Sequence, residues 1–360
     1  MEAGHPSFTA YTASLGEAVQ RLRPDVTWTS VGPAATVPGP LAQWPRVRVP
    51  RNLHRPLSLT DSLWTTQAIR RLPLDLLHDP TGSMLFARRP NCRSVLTIHD
   101  LSSLTMPEVN RRGWLAHRLF GRRACRHADR IIAISEHTKR DLLHHHRVSE
   151  EKIRVVPNGL SARFQPPTAG DVARVRERWT GGRPFLLFVG VLQPRKNVPA
   201  LLRAYAAGRA QGLEWPLVVA GGKGWGYEPI FALVEELKLH DAVVFTGRVD
   251  DAELPALYGA AEIFAFPSLY EGFGWPPLEA MACGTPVICS NASSLPEVVG
   301  DAALSVDPCD EPAWTQAMLR LAGDADLRHS LREAGRRRAA QFSWERCARE
   351  TWAVYQEALA

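Results

Sequence analysis

The sequence predicts two α/β domains, each a parallel sheet covered by helices. Three observations carry this. The chain has 360 residues, room for two domains at about 150 residues each. Short β-branched and aromatic runs alternate with longer stretches whose apolar residues fall at helical spacing. A polar, Pro- and Gly-rich interval at 160–184 divides the alternation into two series and reads as a linker.

In the first series, strands are predicted at 25–31, 74–78, 94–99, 130–134 and 154–157, with a helix near 11–21 ahead of them. In the second, strands are predicted at 184–189, 216–220, 242–246, 262–265, 285–289 and 303–306, with intervening helices such as 198–211 and 229–239. The last helix opens at Ser343, a good N-cap, with Glu345 in its first turn. Trp344, Trp352 and Tyr355 are heavy apolar side chains for a tail, and they require a surface to pack on. The domains are therefore set at 1–165 and 180–342, with 343–360 a terminal helix packing back on the first.

Composition excludes several classes. With 45% hydrophobic and 22% charged residues the chain is an ordinary globular protein. No window reaches the ~18 uninterrupted apolar residues of a membrane span. The opening Met-Glu-Ala-Gly-His-Pro has no apolar region of a secretory signal, so the cytoplasm, including its face of the membrane, is the expected location. The cysteines (Cys92, Cys125, Cys283, Cys289, Cys309, Cys347) form no CxxC pair, which argues against a zinc ribbon or a disulfide framework. A net charge of +6 favours acidic partners without choosing among phosphates, nucleic acid and anionic lipid.

The most informative stretch is Phe266-Pro-Ser-Leu-Tyr-Glu-Gly-Phe-Gly-Trp-Pro-Pro-Leu-Glu-Ala-Met-Ala-Cys-Gly-Thr-Pro. A strand ends near Phe266, a turn containing Gly272 and Gly274 follows, Pro276 and Pro277 suit a helix start, and Gly284 stops that helix. A helix N-terminus thus lies between two carboxylates, Glu271 and Glu279. Its free N–H groups and dipole favour an anion, phosphate above all, while the carboxylates suit hydroxyls. A nucleotide sugar, with hydroxyls at both ends and phosphates between, matches this pattern. Tyr270, Phe273 and Trp275 read as exposed aromatics of the turn.

These residues carry a resemblance. Glu271-Gly272-Phe273-Gly274 with Glu279 eight positions after the first acid, Ala280-Met281-Ala282-Cys283-Gly284-Thr285-Pro286-Val287, and Ser294-Leu295-Pro296-Glu297-Val298 closely resemble the retaining GT-B glycosyltransferases of family four, or group one. The similarity runs from about Leu76 to Tyr355 and is nearest to bacterial mannosyltransferases of surface-polysaccharide assembly. It implies two Rossmann-like domains facing across a cleft. It also implies that Glu271 holds the hydroxyls of the transferred sugar, helped by the N–H groups of Phe273 and Gly274, and that Glu279 holds the ribose. Gly272 and Leu278 join the donor-contacting set.

The strand ending at Gly190 is followed by Val191-Leu192-Gln193-Pro194-Arg195-Lys196-Asn197. Arg195 and Lys196 therefore sit at a strand's carboxyl end, where open α/β sheets bind ligands. Two cations there suit a departing diphosphate, and one such contact is commonly worth ~3–4 kcal/mol in the transition state. The resemblance implies this diphosphate role. Many relatives carry Arg directly after the strand glycine where this chain has Val191, which shifts the charge burden toward Arg195. By the same resemblance Val249, after the strand ending near Thr246, borders the nucleotide base.

His99, at the tip of the strand 94–99, can exchange a proton near neutral pH. The resemblance places a His-Asp pair here facing transferred sugar and acceptor, so His99 is expected to contact one of them and Asp100 to orient the loop. The resemblance also implies a strand and a glycine-rich loop ahead of the first helix; the helix near 11–21 is expected to begin almost at once, with Gly4 standing for the loop and the strand expected to be missing, through a truncated or misassigned start or as a real gap in the sheet. In the basic stretch 110–130, Arg118, Arg122, Arg126 and Arg130 recur every four residues, predicting one helical ridge suited to an anionic membrane surface or a pyrophosphate-linked lipid acceptor. His144-His145-His146 reads as surface.

Rival chemistries find weaker footing. Gly221-Gly222-Lys223-Gly224-Trp225-Gly226 has the wrong glycine offset for a dinucleotide fold and no Ser or Thr after the lysine for a P-loop. Asp324-Ala325-Asp326, the one Asp-x-Asp triplet, sits in a polar helical context, so no metal is expected. No recognisable nucleic-acid module is present. The expectation is hexose transfer, best fitted by mannose, from a nucleotide sugar (GDP-mannose or a UDP-sugar) to a glycan or lipid-linked acceptor, with the nucleotide sugar as substrate and no cofactor. A sugar-nucleotide epimerase of related fold and a non-catalytic nucleotide-sugar-binding protein are the alternatives.

Overall fold

The computed structural model describes residues 6–32, 44, 46–48, 69–82, 89–106 and 120–360. The chain divides into two units, Met1–Gly159 with Phe342–Ala360, and Leu160–Gln341.

The first unit holds four parallel strands in the order β3 (Leu76–Asp79), β4 (Arg93–Ile98), β5 (Arg130–Ala133) and β6 (Ile153–Val155). A separate pair joins β1 (Ser30–Gly32) to β2 (Arg46–Arg48). The strand predicted at 25–31 is realised only at its end, and β2, a three-residue Arg-Val-Arg segment, has no apolar run to announce it. Leu77, Leu96, Ile98, Ile131, Ala133 and Ile153 build the core over the sheet, with Leu101, Cys125 and Leu142 from the flanking segments.

The helix Trp344–Leu359 belongs to this first unit. The Ser343 hydroxyl accepts from the N–H of Arg346 at 3.1 Å, an N-cap worth about 1 kcal/mol. The heavy side chains of the tail find their surface on the amino-terminal helix Pro6–Leu22 and the residues after it. Trp344 meets Tyr11 edge-on at 5.7 Å, and Arg23 lies over the Trp352 ring at 4.2 Å. Tyr355 hydrogen-bonds His78 Nδ1 of β3 at 2.7 Å, while Glu357 accepts from Arg130 at 3.2 Å and Arg154 at 3.0 Å, tying the helix to β5 and β6. The return crossing is possible because Gly159 has no side chain: a Cβ there would lie 2.5 Å from the Trp344 nitrogen.

In the second unit six parallel strands run in the order β12 (Leu304–Val306), β11 (Val287–Ser290), β10 (Ile263–Phe266), β7 (Leu186–Val189), β8 (Leu217–Ala220) and β9 (Val243–Gly247). Every residue of β8, β10 and β11 is buried, as a parallel sheet covered on both faces requires. From β7 the chain builds outward through β8 and β9, then returns to lay β10 on the other side of β7, with Ile263 beside Leu186. The direction of winding therefore reverses between β7 and β10, the topological switch point at which such sheets bind ligands beyond their carboxyl ends.

The interval read as a linker is not one throughout. Residues Ala169–Thr180 form a helix of the second unit, capped by Thr168, whose hydroxyl accepts from the N–H of Asp171 at 3.2 Å, and closed by Gly181 in the left-handed region. Among its residues only Val175 and Thr180 are buried, which is why its composition looks like a loop.

Candidate active site

Both sides of the switch point carry charge. After β7, Pro194–Lys196 makes one tight turn, Asn197 adopts a left-handed conformation (φ 54°), and the helix Val198–Ala210 begins. After β10, residues 267–274 form a turn that leads into the helix Trp275–Ala282. Because β7 and β10 are neighbours, the two loops meet. Arg195 Nη1 donates to Glu271 Oε2 at 2.7 Å and to the Tyr270 carbonyl at 2.7 Å, and Lys196 Nζ donates to Glu271 Oε1 at 2.6 Å. The Arg195 carbonyl accepts from the N–H of Leu269 at 2.9 Å, so backbone as well as side chains joins the loops. Gly190 leaves room for this: a Cβ there would lie 3.2 Å from the Phe188 ring and 3.6 Å from Lys196 Cε.

All three charged side chains are largely shielded from solvent. Burial alone pushes the Glu271 carboxyl up, but the charges of Lys196 and Arg195 and hydrogen bonds from Lys196 and Ser268 outweigh it and hold the group at about 2. With two cations on one carboxylate, the cluster keeps an excess of positive charge.

Three serines to which the sequence reading gave no role hold the turn. Ser268 Oγ donates to Glu271 Oε1 at 2.6 Å, Ser293 Oγ accepts the Glu271 N–H at 2.8 Å, and Ser294 Oγ lies 2.8 Å from the Glu271 carbonyl and 2.6 Å from that of Phe273. Their available signals were the position of Ser268 three residues before the acid and the Ser294-Leu-Pro-Glu pattern. Gly274, at φ 125°, precedes the helix, and a Cβ on it would lie 2.7 Å from Leu295 Cδ2. The turn is not the exposed aromatic loop that was expected. Tyr270 and Phe273 are buried, folded under the segment that carries Ser293 and Ser294, and only Trp275 is half-buried. Gly272 is likewise buried, and Leu278 is fully enclosed in the second turn of the helix.

Glu279 projects from the same helix. Its Oε2 accepts the Tyr258 hydroxyl at 2.8 Å. Burial drives this carboxyl up to about 7, with Tyr258 and the charge of Arg163 opposing the rise. The two acids around the helix start are therefore electrostatic opposites: Glu271 is a fixed anion, and Glu279 titrates near neutrality. Val249 sits half-buried beyond the end of β9, on the loop that follows the strand.

In the first unit His99 follows β4 directly and is buried. Its Nε2 donates to the Pro80 carbonyl at 2.8 Å, Tyr11 meets its ring edge-on at 4.7 Å, and burial holds its pKa below the ordinary value, so the imidazole is neutral. Asp100 accepts from the N–H (3.0 Å) and hydroxyl (2.6 Å) of Ser102, orienting the loop as expected.

The readings of the arginine ridge and of the histidine run are corrected. The arginine ridge does not run to Arg130: Arg122 and Arg126 lie on the helix Arg122–His127, Arg130 opens β5 and binds Glu357, and Arg118 lies outside the described residues. His146 is buried rather than on the surface, packed so closely on Gly121 that a Cβ there would lie 2.8 Å from its ring. Asp324 caps the helix Ala325–Ala339 by accepting from the N–H of Leu327 at 2.8 Å. In the glycine run 221–226, Gly221 and Gly224 serve close packing, since a Cβ on Gly221 would lie 1.9 Å from the Gly190 carbonyl oxygen and one on Gly224 2.6 Å from that of Leu192. Among the described residues no helix is long and apolar enough to cross a membrane.

Two family models match, end to end along most of the chain. Glycosyltransferase Family 4 covers residues 9–164, and Glycosyl transferases group 1 covers residues 171–338. The O-antigen chain mannosyltransferase B of Escherichia coli is 34% identical over 270 residues, spanning 73% of this chain and 70% of its own. The chain belongs to the group 1, family 4 glycosyltransferases.

The transferase is also 34% identical over 309 residues to an MMP alpha-(1->4)-mannosyltransferase of Mycolicibacterium hassiacum, covering 81% of this chain and 72% of that protein. Its fold matches the crystal structure of Anabaena HepE in complex with UDP and glucose, with a TM-score of 0.80 at 19% identity over 99% of this chain and 98% of that one. The two α/β domains are those of the GT-B fold, and the activity is glycosyl transfer.

Proposed function

We propose that the transferase moves a hexose, best fitted by mannose, from a nucleotide-sugar donor to a glycan or lipid-linked acceptor with retained anomeric configuration. The observation that carries this reading is the meeting of Arg195, Lys196 and Glu271 at the switch point of the second unit. Names of relatives at 34% identity, an O-antigen chain mannosyltransferase and an MMP mannosyltransferase, support mannose; the donor is GDP-mannose, the first choice, or a UDP-sugar.

In this reading the donor diphosphate enters between the two cations and the N-terminus of the helix Trp275–Ala282. Arg195 and Lys196 neutralise the charge that develops on the departing nucleoside diphosphate, where one preorganised contact is commonly worth ~3–4 kcal/mol. Lys196 and Arg195 reach the phosphate while staying close enough to Glu271 to keep it ionised, and Glu271 accepts from hydroxyls of the sugar while the N–H groups of Phe273 and Gly274 assist. Gly190, Gly272 and Leu278 shape the donor's bed, Val249 borders the base, and Glu279 anchors the ribose. His99, neutral and held by Pro80, lines the side of the sugar or acceptor. The two side-chain cations supply the charge that transfer needs, so the reading assigns no metal and no cofactor. It places the enzyme in the cytoplasm, with a peripheral contact to anionic membrane through the basic segment around Arg122 and Arg126.

The test is a thermal-shift screen of the purified protein against a panel of nucleotide sugars, followed by product analysis with the donor that stabilises it. A new α-linked mannoside from GDP-mannose supports the reading; an isomerised sugar nucleotide, or binding without turnover, contradicts it.

A further inference from the structure

Glu279 is met from several elements of the second unit. Tyr258, on the helix Leu254–Ala260, is fully buried and donates its hydroxyl to Glu279 Oε2 at 2.8 Å. Nothing about Tyr258 is loose. Its carbonyl accepts from Thr285 Oγ1 at 2.6 Å, and its ring meets Phe264 of β10 at 5.4 Å and Phe164 at 6.0 Å, both edge-on. The next residue, Gly259, is pressed against Pro167, where a Cβ would lie 2.2 Å from Cδ.

The charged and titratable groups around the carboxyl are few. Arg163, from the segment before the helix Ala169–Thr180, favours its ionised form, whereas Asp251, from the loop after β9, opposes it. These two side chains lie 4.0 Å apart. Cys283, which caps the end of the same helix, has a thiol pushed up to about 12 by burial and by Glu279 itself, and is neutral. The phenol of Tyr258 is pushed well above its ordinary range by burial, so it stays a donor throughout the physiological range.

We propose that Tyr258 is a positioning residue for the donor: by fixing Oε2 of Glu279 it presents Oε1 to a ribose hydroxyl. This rests on the ribose role of Glu279. A phenol donating to a carboxylate is a charge-assisted bond, roughly twice as strong as a neutral one. It acts on the acid in two ways. It holds the side chain in one orientation, and it favours the ionised form that accepts from both ribose hydroxyls. Burial raises Glu279 to about 7 and the Tyr258 hydrogen bond opposes the rise, so the tyrosine favours the charged form of the ribose anchor near neutral pH. Sequence could not reveal this partner, because Tyr258 lies 21 residues before Glu279 in what reads as an ordinary apolar helix face.

The experiment measures, by titration calorimetry on the full chain between pH 6 and 8.5, binding of GDP and of 2′,3′-dideoxy-GDP, with the uridine pair alongside. Wild type is expected to prefer the ribonucleotide, the preference falling as pH drops through about 7. Tyr258→Phe is expected to weaken the ribonucleotide about fivefold at pH 7, to leave the dideoxynucleotide unchanged, and to move the midpoint up by about one pH unit. Glu279→Gln is expected to abolish the preference and its pH dependence. If Glu279→Gln abolishes the preference while Tyr258→Phe keeps wild-type preference and midpoint, or weakens both nucleotides equally, the tyrosine proposal is overturned and the ribose role of Glu279 stands. If wild type shows no ribose preference, binds none of the four nucleotides, or keeps its preference in Glu279→Gln, the ribose role itself is overturned and the tyrosine proposal with it.

Discussion

Lys196 and Glu271 stand 75 positions apart in the chain and 2.6 Å apart in space. The distance is closed by topology, since the strands that precede them, β7 and β10, are neighbours although β8 and β9 separate them in sequence. Both side chains are nearly enclosed, so each is the other's main compensation for lost water.

Removing the carboxylate charge tests its role in transfer. Glu271→Gln keeps the side chain's volume and its place beside Ser268, and is expected to lower kcat/KM for the donor by about 10²–10³-fold. Glu271→Ala is expected to lose transfer as well and also to destabilise the second unit by about 3–5 kcal/mol, because two shielded cations lose their counter-charge. Steady-state kinetics and denaturant unfolding on the two variants separate these effects. Turnover near wild type in Glu271→Gln would contradict the role.

Lys196→Met removes one of the two cations while keeping most of the stem. Its expected effect is a fall in kcat of about 10²-fold or more, since the lost contact is strongest in the transition state. Treatment with EDTA, by contrast, is expected to leave the rate of the wild-type enzyme unchanged. Loss of turnover in EDTA that is restored by a divalent cation would show that the two side chains do not suffice.

The two units should respond differently to acid. His78, between Tyr355 and Thr97 in the first unit, is held down to about 3 by burial and by the neighbouring His99. Its folded pKa is below its unfolded value, so the unfolded chain takes up the proton first, and stability falls as pH drops from about 6.5 toward 3 at ~1.4 kcal/mol per unit. Glu271, held at about 2, contributes stability that is present above about 4.5 and is lost only as pH falls toward 2. Glu279 has the opposite sign: its raised pKa contributes stability below about 4.5 that is lost as pH rises through about 7. Because the Glu279 contribution opposes it between about pH 7 and 4.5, the His78 loss is read as a difference: in thermal unfolding between pH 7 and 4, wild type should lose stability relative to His78→Asn as the pH drops. An unchanged slope in that variant would contradict the assignment.

Gly274→Ala is expected to disturb the turn on two counts, a Cβ 2.7 Å from Leu295 Cδ2 and a backbone at φ 125°. The backbone term alone costs about 1–3 kcal/mol. Adding Leu295→Ala removes the clash and leaves the backbone strain, so the double variant should recover donor affinity only in part. Full recovery, measured by nucleotide binding, would show that sterics alone require the glycine.

Much of this was legible in the sequence, for physical reasons. Strands such as β8 and β10 are buried on both faces and so read as continuous apolar runs. Arg195 and Glu271 were recognisable because each follows a strand end, where an α/β sheet places its ligands. What escaped was short, polar or long-range. β2 is too brief to carry a pattern, and the helix Ala169–Thr180 buries so little that it looked like linker. Tyr270 and Phe273 looked exposed because glycines and a glutamate surround them, yet Ser294, more than 20 residues on, folds over the turn and binds two of its carbonyls. Tyr258 was silent because an apolar helix face gives no sign that one of its hydroxyls reaches an acid on another helix.

A crystal structure of the transferase soaked with GDP-mannose, or with GDP if the donor turns over, tests the central assignment most directly. The diphosphate is expected within hydrogen-bonding distance of Arg195 and Lys196 at the start of the helix Trp275–Ala282, with Glu271 turned to the sugar or facing its place. A diphosphate bound elsewhere, with both cations still closed on Glu271, would contradict it.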